Sequence, residues 1–272
     1  MRIRRTAAAV AIAALALVGC TGSGGANSGA QSTGQTTTTE RRSAEKVLAE
    51  AARRTLAAGT ARYVLEVRTK VRGLAPSTAR GTGAIDFRSS RSRLDMTFES
   101  SARKLAFIVI YDGGMLYEKL PPELAGTSVK PWVKLDLTAA LGGANAQLNT
   151  NDPGGIIAFL YGADDVTEAG TATELVRGVA ATRYRASLDP RRAAEQLPPK
   201  YRDQYVSSLE EVGAAGPTPA ELWIDGQGLI RRIRLNGKAA IQGKQSTSVT
   251  TIEYFDFGAP VDIELPPADQ VR

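Results

Sequence analysis

Residues 63–72 read YVLEVRTKVR. Tyr63, Leu65, Val67, Thr69 and Val71 alternate with Val64, Glu66, Arg68, Lys70 and Arg72, so one face is largely apolar and the other is charged. A period of two is that of a β-strand, whose successive side chains point to opposite faces. The same period recurs downstream. Ile85 and Phe87 alternate with Asp86 and Arg88, while Leu94, Met96 and Phe98 alternate with Arg93, Asp95, Thr97 and Glu99. Leu105 to Tyr111 (LAFIVIY) is apolar on both faces, which predicts a central strand covered on both sides. Asp112-Gly113-Gly114 is a hairpin turn into Met115-Leu116-Tyr117-Glu118. Long strands joined by tight turns predict an antiparallel meander.

Working outward, Ser43 is placed to cap a helix whose apolar positions Val47, Leu48, Ala51, Ala52 and Leu56 fall near the 3.6-residue period, with Gly59 closing it. Pro121 to Pro131 reads as a loop before Trp132-Val133-Lys134-Leu135-Asp136-Leu137. Asp152-Pro153 signals a helix start, followed by Ile156, Ile157, Phe159, Leu160 and Tyr161. Strands resume at Val166 to Glu168, Leu175-Val176 and Val179 to Leu188. Pro190 to Val212 reads as two short helices broken at Pro198-Pro199, the second carrying a stripe of Tyr201, Tyr205, Leu209 and Val212. Glu221 to Asp225 turns through Gly226-Gln227-Gly228 into Leu229 to Leu235, a last strand spans about 246–257, and Pro260 to Arg272 trails along an edge. The expected class is α+β: a curved antiparallel β half-barrel whose few helices cover the apolar face. So large a sheet has more apolar surface than those helices fill, which motivates a hydrophobic cavity.

The N-terminus reads MRIRRTAAAVAIAALALVGC. Three arginines precede a 12-residue apolar run, Ala7 to Val18. That is short for a bilayer span, which takes about 20 residues, and right for the core of a secretory signal. Leu17-Val18-Gly19-Cys20 resembles a bacterial lipobox, in which the signal is cut before an acylated cysteine. Residues 1–19 are thus expected to be a signal peptide, and Cys20 a lipid anchor holding the chain on the outer face of the cytoplasmic membrane. Residues 20–42 are Gly, Ser, Thr and Gln-rich without apolar periodicity, the composition of a flexible tether; it would reach about 25 Å. The domain proper is expected over 43–272. Removing residues 1–19 takes three arginines and no acid, lowering the net charge from +6 to +3. The remaining basic residues are scattered singly, which argues against nucleic acid and fits mild attraction to anionic headgroups.

The chain has no His and one Cys. A His-based triad, an ordinary zinc or haem site, an internal disulfide and a thiolate metal cage are therefore excluded. Ser43-Ala44-Glu45-Lys46 matches S-x-x-K, but the partner motifs of that chemistry are missing and a helix cap accounts for Ser43. Asp164-Asp165 and Glu210-Glu211 are neighbours that point apart on a strand or helix, so neither pair is placed for shared acid/base work. Gly81-x-Gly83 lacks the strand-then-helix context of a dinucleotide site, and Asp225-Gly226-Gln227-Gly228 lacks the acidic ligands of a calcium loop. A catalytic role, a metal and a cofactor are not expected.

A lipobox, a polar tether, a first helix and a strand meander precede Ala163-Asp164-Asp165-Val166-Thr167-Glu168-Ala169-Gly170. Together with Val176-Arg177-Gly178-Val179, Thr182-Arg183-Tyr184, Leu222-Trp223-Ile224-Asp225 and Phe255-Asp256-Phe257-Gly258-Ala259-Pro260-Val261 before Leu265-Pro266-Pro267, this order resembles actinobacterial lipoproteins of the LppX/LprG type. The resemblance covers about residues 43–270. It implies a LolA-like fold with a hydrophobic cavity for acyl chains, and a protein that carries acylated lipid or glycolipid across the cell envelope. A membrane transporter or a donor or acceptor protein would be a further partner. By the phase of the strands and helices, the cavity would be lined by Leu65, Val67, Phe87, Leu94, Met96, Phe98, Phe107, Val109, Tyr111, Ile156, Phe159, Leu160, Tyr184 and Trp223. The same residues could equally form an ordinary packed core. The alternative function is an envelope ligand sensor or interaction module on the same fold, regulating a membrane partner.

Overall fold

The computed structural model describes residues 34–126, 129–137, 153–170, 172–195, 202–203, 206–207, 210, 216–241 and 244–272. Cys20, the signal segment, and Tyr201, Tyr205, Leu209 and Val212 of the expected amphipathic stripe lie outside these residues.

Helix α1 (Gly34–Ala57) leads into β1 (Thr60–Val71), β2 (Ser77–Asp86), β3 (Arg91–Glu99), β4 (Lys104–Asp112) and β5 (Met115–Lys119). A single turn of helix, α2 (Pro122–Ala125), precedes β6 (Trp132–Asp136). Next come α3 (Pro153–Phe159), extended by a 3₁₀ turn over Leu160–Gly162, then β7 (Ala163–Glu168), β8 (Glu174–Val176) and β9 (Val179–Leu188). Helix α4 (Pro190–Ala194) and the strands β10 (Thr218–Asp225), β11 (Ile230–Ile241) and β12 (Lys244–Phe255) complete the order.

All twelve strands belong to one antiparallel sheet of order β6-β5-β4-β3-β2-β1-β12-β11-β10-β9-β7, with β8 also paired to β9. The ends do not pair with each other, so the sheet is open. One continuous apolar core nevertheless joins residues of β1–β5, β7 and β9–β12 with Leu48, Ala51 and Ala52 of α1 and Ile156, Ile157, Phe159 and Leu160 after Pro153. Only a sheet that curls around its helices brings both wings into one core. The curved antiparallel sheet expected from the strand periodicity, and the α+β half-barrel implied by the resemblance, are therefore the observed fold, with α1 and α3 on the inner face.

Register fixes which residues face inward. Ala61, Tyr63, Leu65 and Val67 of β1 lie beside Ile85, Gly83, Gly81 and Ala79 of β2. On the other side, Tyr63, Leu65 and Val67 lie beside Tyr254, Ile252 and Thr250 of β12. Gly81 and Gly83 are required there. A Cβ on Gly83 would overlap the Arg93 carbonyl oxygen and the Tyr63 ring, and one on Gly81 would come within 2.6 Å of the Asp95 carbonyl oxygen. The β4–β5 hairpin closes through Gly113 (φ 55°) and Gly114 (φ 104°), the two left-handed residues that match strand twist.

Several elements differ from the sequence reading: α2 forms inside the expected loop 121–131, β11 runs on from Leu235 to Ile241, and three further differences bear on the fold. Helix α1 begins at Gly34, nine residues before the expected boundary, so Ser43 lies inside the helix and is not its cap. No Gly or Pro interrupts residues 35–58, and a helix nucleated on a packed face propagates cheaply into such a stretch. β2 starts at Ser77 rather than near Ile85; its inward positions are Ser, Ala and Gly, which carry no apolar signal. β4 is third from the sheet edge, not central. It is covered on both faces all the same, because the C-terminal segment folds under it: Ile263 packs on Ile110 and Trp132. That segment does run along an edge. The Arg272 amide donates to the Trp132 carbonyl at 3.0 Å, and the Lys134 amide donates to the Arg272 carbonyl at 3.1 Å.

Candidate functional site

The inner face divides into two halves. Toward the β1 start it is filled. α1 fixes this end through Thr55, whose hydroxyl donates to the Ala51 carbonyl at 2.7 Å and accepts from the Ile230 amide at 3.0 Å. Arg54 donates to the Gln227 carbonyl at 3.2 Å in the β10–β11 turn. The start of α3 is held by Tyr254, whose hydroxyl donates to the Pro153 carbonyl at 2.8 Å. Leu94, Val109, Ile156, Phe159 and Leu160 of the expected lining are buried in this closed core.

Toward the opposite end the apolar side chains are less completely covered. Leu65, Met96, Phe107 and Tyr184 pack against the core and remain half-buried, as do Phe87 and Tyr111 at the β1-start end. Val67 lies on the same face, and Phe98, paired with Ala79 and Leu105, extends the apolar surface outward. Thirteen of the fourteen expected positions are thus on the inner face or on the helix that covers it.

Trp223 is the exception. The phase of β10 turns it to the outer face, where it packs with Val176 and Ala181. Its indole N–H donates to Glu174 at 2.9 Å and the Arg232 guanidinium lies 5.0 Å from its ring centre. The odd positions of β10 alternate outward, and the β8–β9 hairpin brings the Glu174 and Val176 side chains to Trp223. Trp223 therefore caps an outer ion-pair network that also holds Arg183, Glu221, Arg234 and Glu253. It cannot line an inner cavity.

Two polar features of the inner face were not legible in the strand pattern. Thr250 is buried between Val67 and Leu235, and its hydroxyl has no hydrogen-bond partner among the described residues. Buried hydroxyls are rarely left so, because the missing bond costs about 1–3 kcal/mol. Glu118 faces inward between Val109 and Val133. Burial raises its carboxyl pKa above the ordinary value, since no cation offsets the desolvation of the charged form.

A cleft of about 350 Å³ opens on the outer side of the sheet, where β5 ends. It exists because β5 ends opposite Ile108 whereas β4 continues back to Lys104. It is lined mostly by residues of outward phase, Asp95, Thr97, Ala106, Ile108 and Lys119, with Met96 and Phe107 between them, and Leu120, Pro121 and Pro122 close it from the loop after β5. The Pro121-Pro122 pair was the available signal, since it stops the strand and forces the turn. Among the described residues no group of three His, Cys, Asp or Glu could hold a metal ion, and no described helix is long and apolar enough to cross a membrane. Lys46 of the S-x-x-K match is exposed on α1.

No known protein family matches the chain, and no curated protein does. Solved structures do. A LolA superfamily protein from Nitrosomonas europaea is 13% identical, covering 78% of this chain and 91% of its own, with a TM-score of 0.33. The Pseudomonas aeruginosa MucA/MucB complex gives 13% identity over 84% of this chain and 60% of the matched one, TM-score 0.31. A DUF1329 family protein from Desulfovibrio piger gives 11% over 80% and 92%, TM-score 0.27. All of these overlaps fall below 0.5; the chain's own strand order and register are what make it an open antiparallel half-barrel around two inner helices.

Proposed function

We propose that this chain is a non-enzymatic envelope lipoprotein, similar to the LppX/LprG type, that holds the acyl chains of a lipid or glycolipid against the inner face of its half-barrel and carries them between membranes. The observation that supports it most is the unequal filling of that face. Helices α1 and α3 seal one half, while Met96, Phe98 and Phe107 on the other stay half-buried. Apolar burial is worth about 0.8 kcal/mol per CH₂, so about ten buried methylenes supply roughly 8 kcal/mol, the equivalent of micromolar retention. The buried hydroxyl of Thr250 and the inward carboxyl of Glu118 offer polar contacts to the ester or amide region of such a lipid. Cys20 would tether the carrier to the outer face of the cytoplasmic membrane.

The test is the lipid content of the purified chain from residue 20 onward, with Cys20→Ser so that only cavity lipid remains. Organic extraction and native mass spectrometry are expected to find one acylated lipid per chain. A folded protein whose native mass equals the bare chain overturns the proposal. Transfer of a labelled lipid between vesicles separates a carrier from a sensor, which would bind without transferring.

A further inference from the structure

The two ends of the half-barrel carry charge differently. At the end where α1 finishes, charges are paired in the described structure: Arg62 with Asp256 at 3.8 Å, Arg88 with Asp86 at 3.4 Å, Arg91 with Asp112 at 2.9 Å and Arg231 with Asp225 at 2.5 Å. At the opposite end three hairpin tips and one loop meet, because β1–β2, β3–β4 and β11–β12 all turn there and β5 runs out there. Lys70 and Lys238 flank Thr247 on the outer surface. Arg72, Arg103, Lys104 and Lys244 follow at the tips themselves. None of these six exposed cations forms an ion pair with a described residue. Glu99 and Glu123 are the described carboxylates beside them, so this rim alone is more positive than the net +3 of the chain from residue 20.

The same rim bears the most exposed large apolar side chains of the β1–β6 wing. Leu74 in the β1–β2 tip is 58% exposed, Leu124 on α2 42%, and Val129 in the loop before β6 89%. Apolar tips among unpaired cations are the composition of a surface that enters a bilayer interface: the apolar groups partition among the headgroups and the cations meet lipid phosphates. An acidic protein would satisfy the cations and leave three aliphatic tips in water. The tether agrees in direction. Because Arg54 bonds the Gln227 carbonyl at 3.2 Å, the chain enters α1 at the end remote from the paired turns.

We propose that this rim docks the half-barrel onto an anionic lipid bilayer, with Leu74, Leu124 and Val129 in the headgroup layer. Docking there brings the half-buried inner-face side chains Met96, Phe98 and Phe107, toward the same end, close to the lipid that would enter or leave. The inference takes its purpose from the lipid-holding reading but is measured independently of it.

The experiment uses the chain from residue 20 with Cys20→Ser, sedimented with vesicles of phosphatidylcholine alone or mixed with phosphatidylglycerol. Binding is expected only to the anionic vesicles and is expected to weaken in 0.5 M salt, which shortens the screening length to a few ångströms. Lys70→Glu, Arg72→Glu, Arg103→Glu and Lys104→Glu combined should reduce the partition coefficient by more than about tenfold, given roughly fivefold per cation near a charged surface. Leu74→Ser with Val129→Ser should weaken binding without changing its salt dependence. Arg62→Glu with Arg88→Glu, at the opposite end, should leave more of the binding in place than an equal number of rim substitutions. No binding to anionic vesicles by folded protein, or equal loss from rim and opposite-end variants matched in charge, overturns the proposal. A chain that carries no extractable lipid yet docks through this rim would retain docking and lose the lipid-holding reading; the reverse result would remove docking alone.

Discussion

Tyr63 and Tyr254 face each other across β1 and β12 with ring centres 6.4 Å apart and ring planes tilted by 48°. Both are fully buried. Their hydroxyls bond in different directions: Tyr63 donates to the Arg93 carbonyl on β3 at 3.1 Å, and Tyr254 to the Pro153 carbonyl at the start of α3 at 2.8 Å. One aromatic pair therefore ties the middle of the sheet to a strand two places away and to the helix that seals the inner face.

Tyr254→Phe keeps the ring and leaves the Pro153 carbonyl without that donor. A loss of about 1–2 kcal/mol is expected, read as a lower urea midpoint with an unchanged slope. Hydrogen exchange should show faster opening of residues 153–160, while β1 and β12 keep their protection. Uniform loosening of the whole sheet would contradict the anchoring role.

Gly83→Ala places a methyl group where the Arg93 carbonyl and the Tyr63 ring already sit. β2 must move or Tyr63 must leave its site, at a cost of about 1–3 kcal/mol or more. Ala substituted at Gly113 costs through backbone strain instead, since nothing lies within 4 Å of its Cβ position and its φ is 55°. Thermal melts of the two variants, with and without Tyr63→Leu, separate the causes: the smaller side chain should relieve the part of the Gly83 penalty due to the Tyr63 ring, and none of the Gly113 penalty.

Glu118 gives a pH signature of unusual sign. Burial raises its folded-state pKa above the ordinary 4.5. The folded chain thus holds a proton that the unfolded chain has released, so stability falls as pH rises from the ordinary carboxylate range through the raised value. Glu118→Gln stays neutral throughout. The melting-temperature difference between Glu118→Gln and the parent chain should be small at acid pH and grow in favour of Gln as pH rises. A gap independent of pH would show that the carboxyl is solvated like an exposed one.

Thr250→Val replaces a buried, unpartnered hydroxyl by a methyl group of similar shape that suits the same strand. The lipid-free chain is expected to be equally stable or to gain up to about 1 kcal/mol. A clear loss would mean that the Thr250 hydroxyl is bonded in solution.

Period two announced the strands that alternate strongly, and β1, β3 and β9 could be read directly from residues such as Leu65, Met96 and Tyr184. β2 was hidden because its inward side had to be small: Gly81 and Gly83 make room for Leu94 and Tyr63. The outward placement of Trp223 depends on the phase of β10, and apolar character alone does not report phase where both faces are covered. The apolar half of the candidate site was likewise visible as alternation. Its polar half was not, because Thr250 and Glu118 look like ordinary strand residues until register sets them beside Val67 and Val109. The basic rim was least legible. Its cations stand singly in sequence, from Lys70 to Lys244, and only hairpin pairing gathers them at one end.

The central claim is that acyl chains lie on the inner face of the β1–β6 wing. Photolabelling with a lipid carrying a diazirine on its acyl chain, followed by peptide mapping, tests it most directly. The account predicts adducts on Met96, Phe98 and Phe107, and none on Val176 or Trp223. Adducts concentrated on the outer face, or none on the inner face of a chain shown to hold the probe, would contradict it.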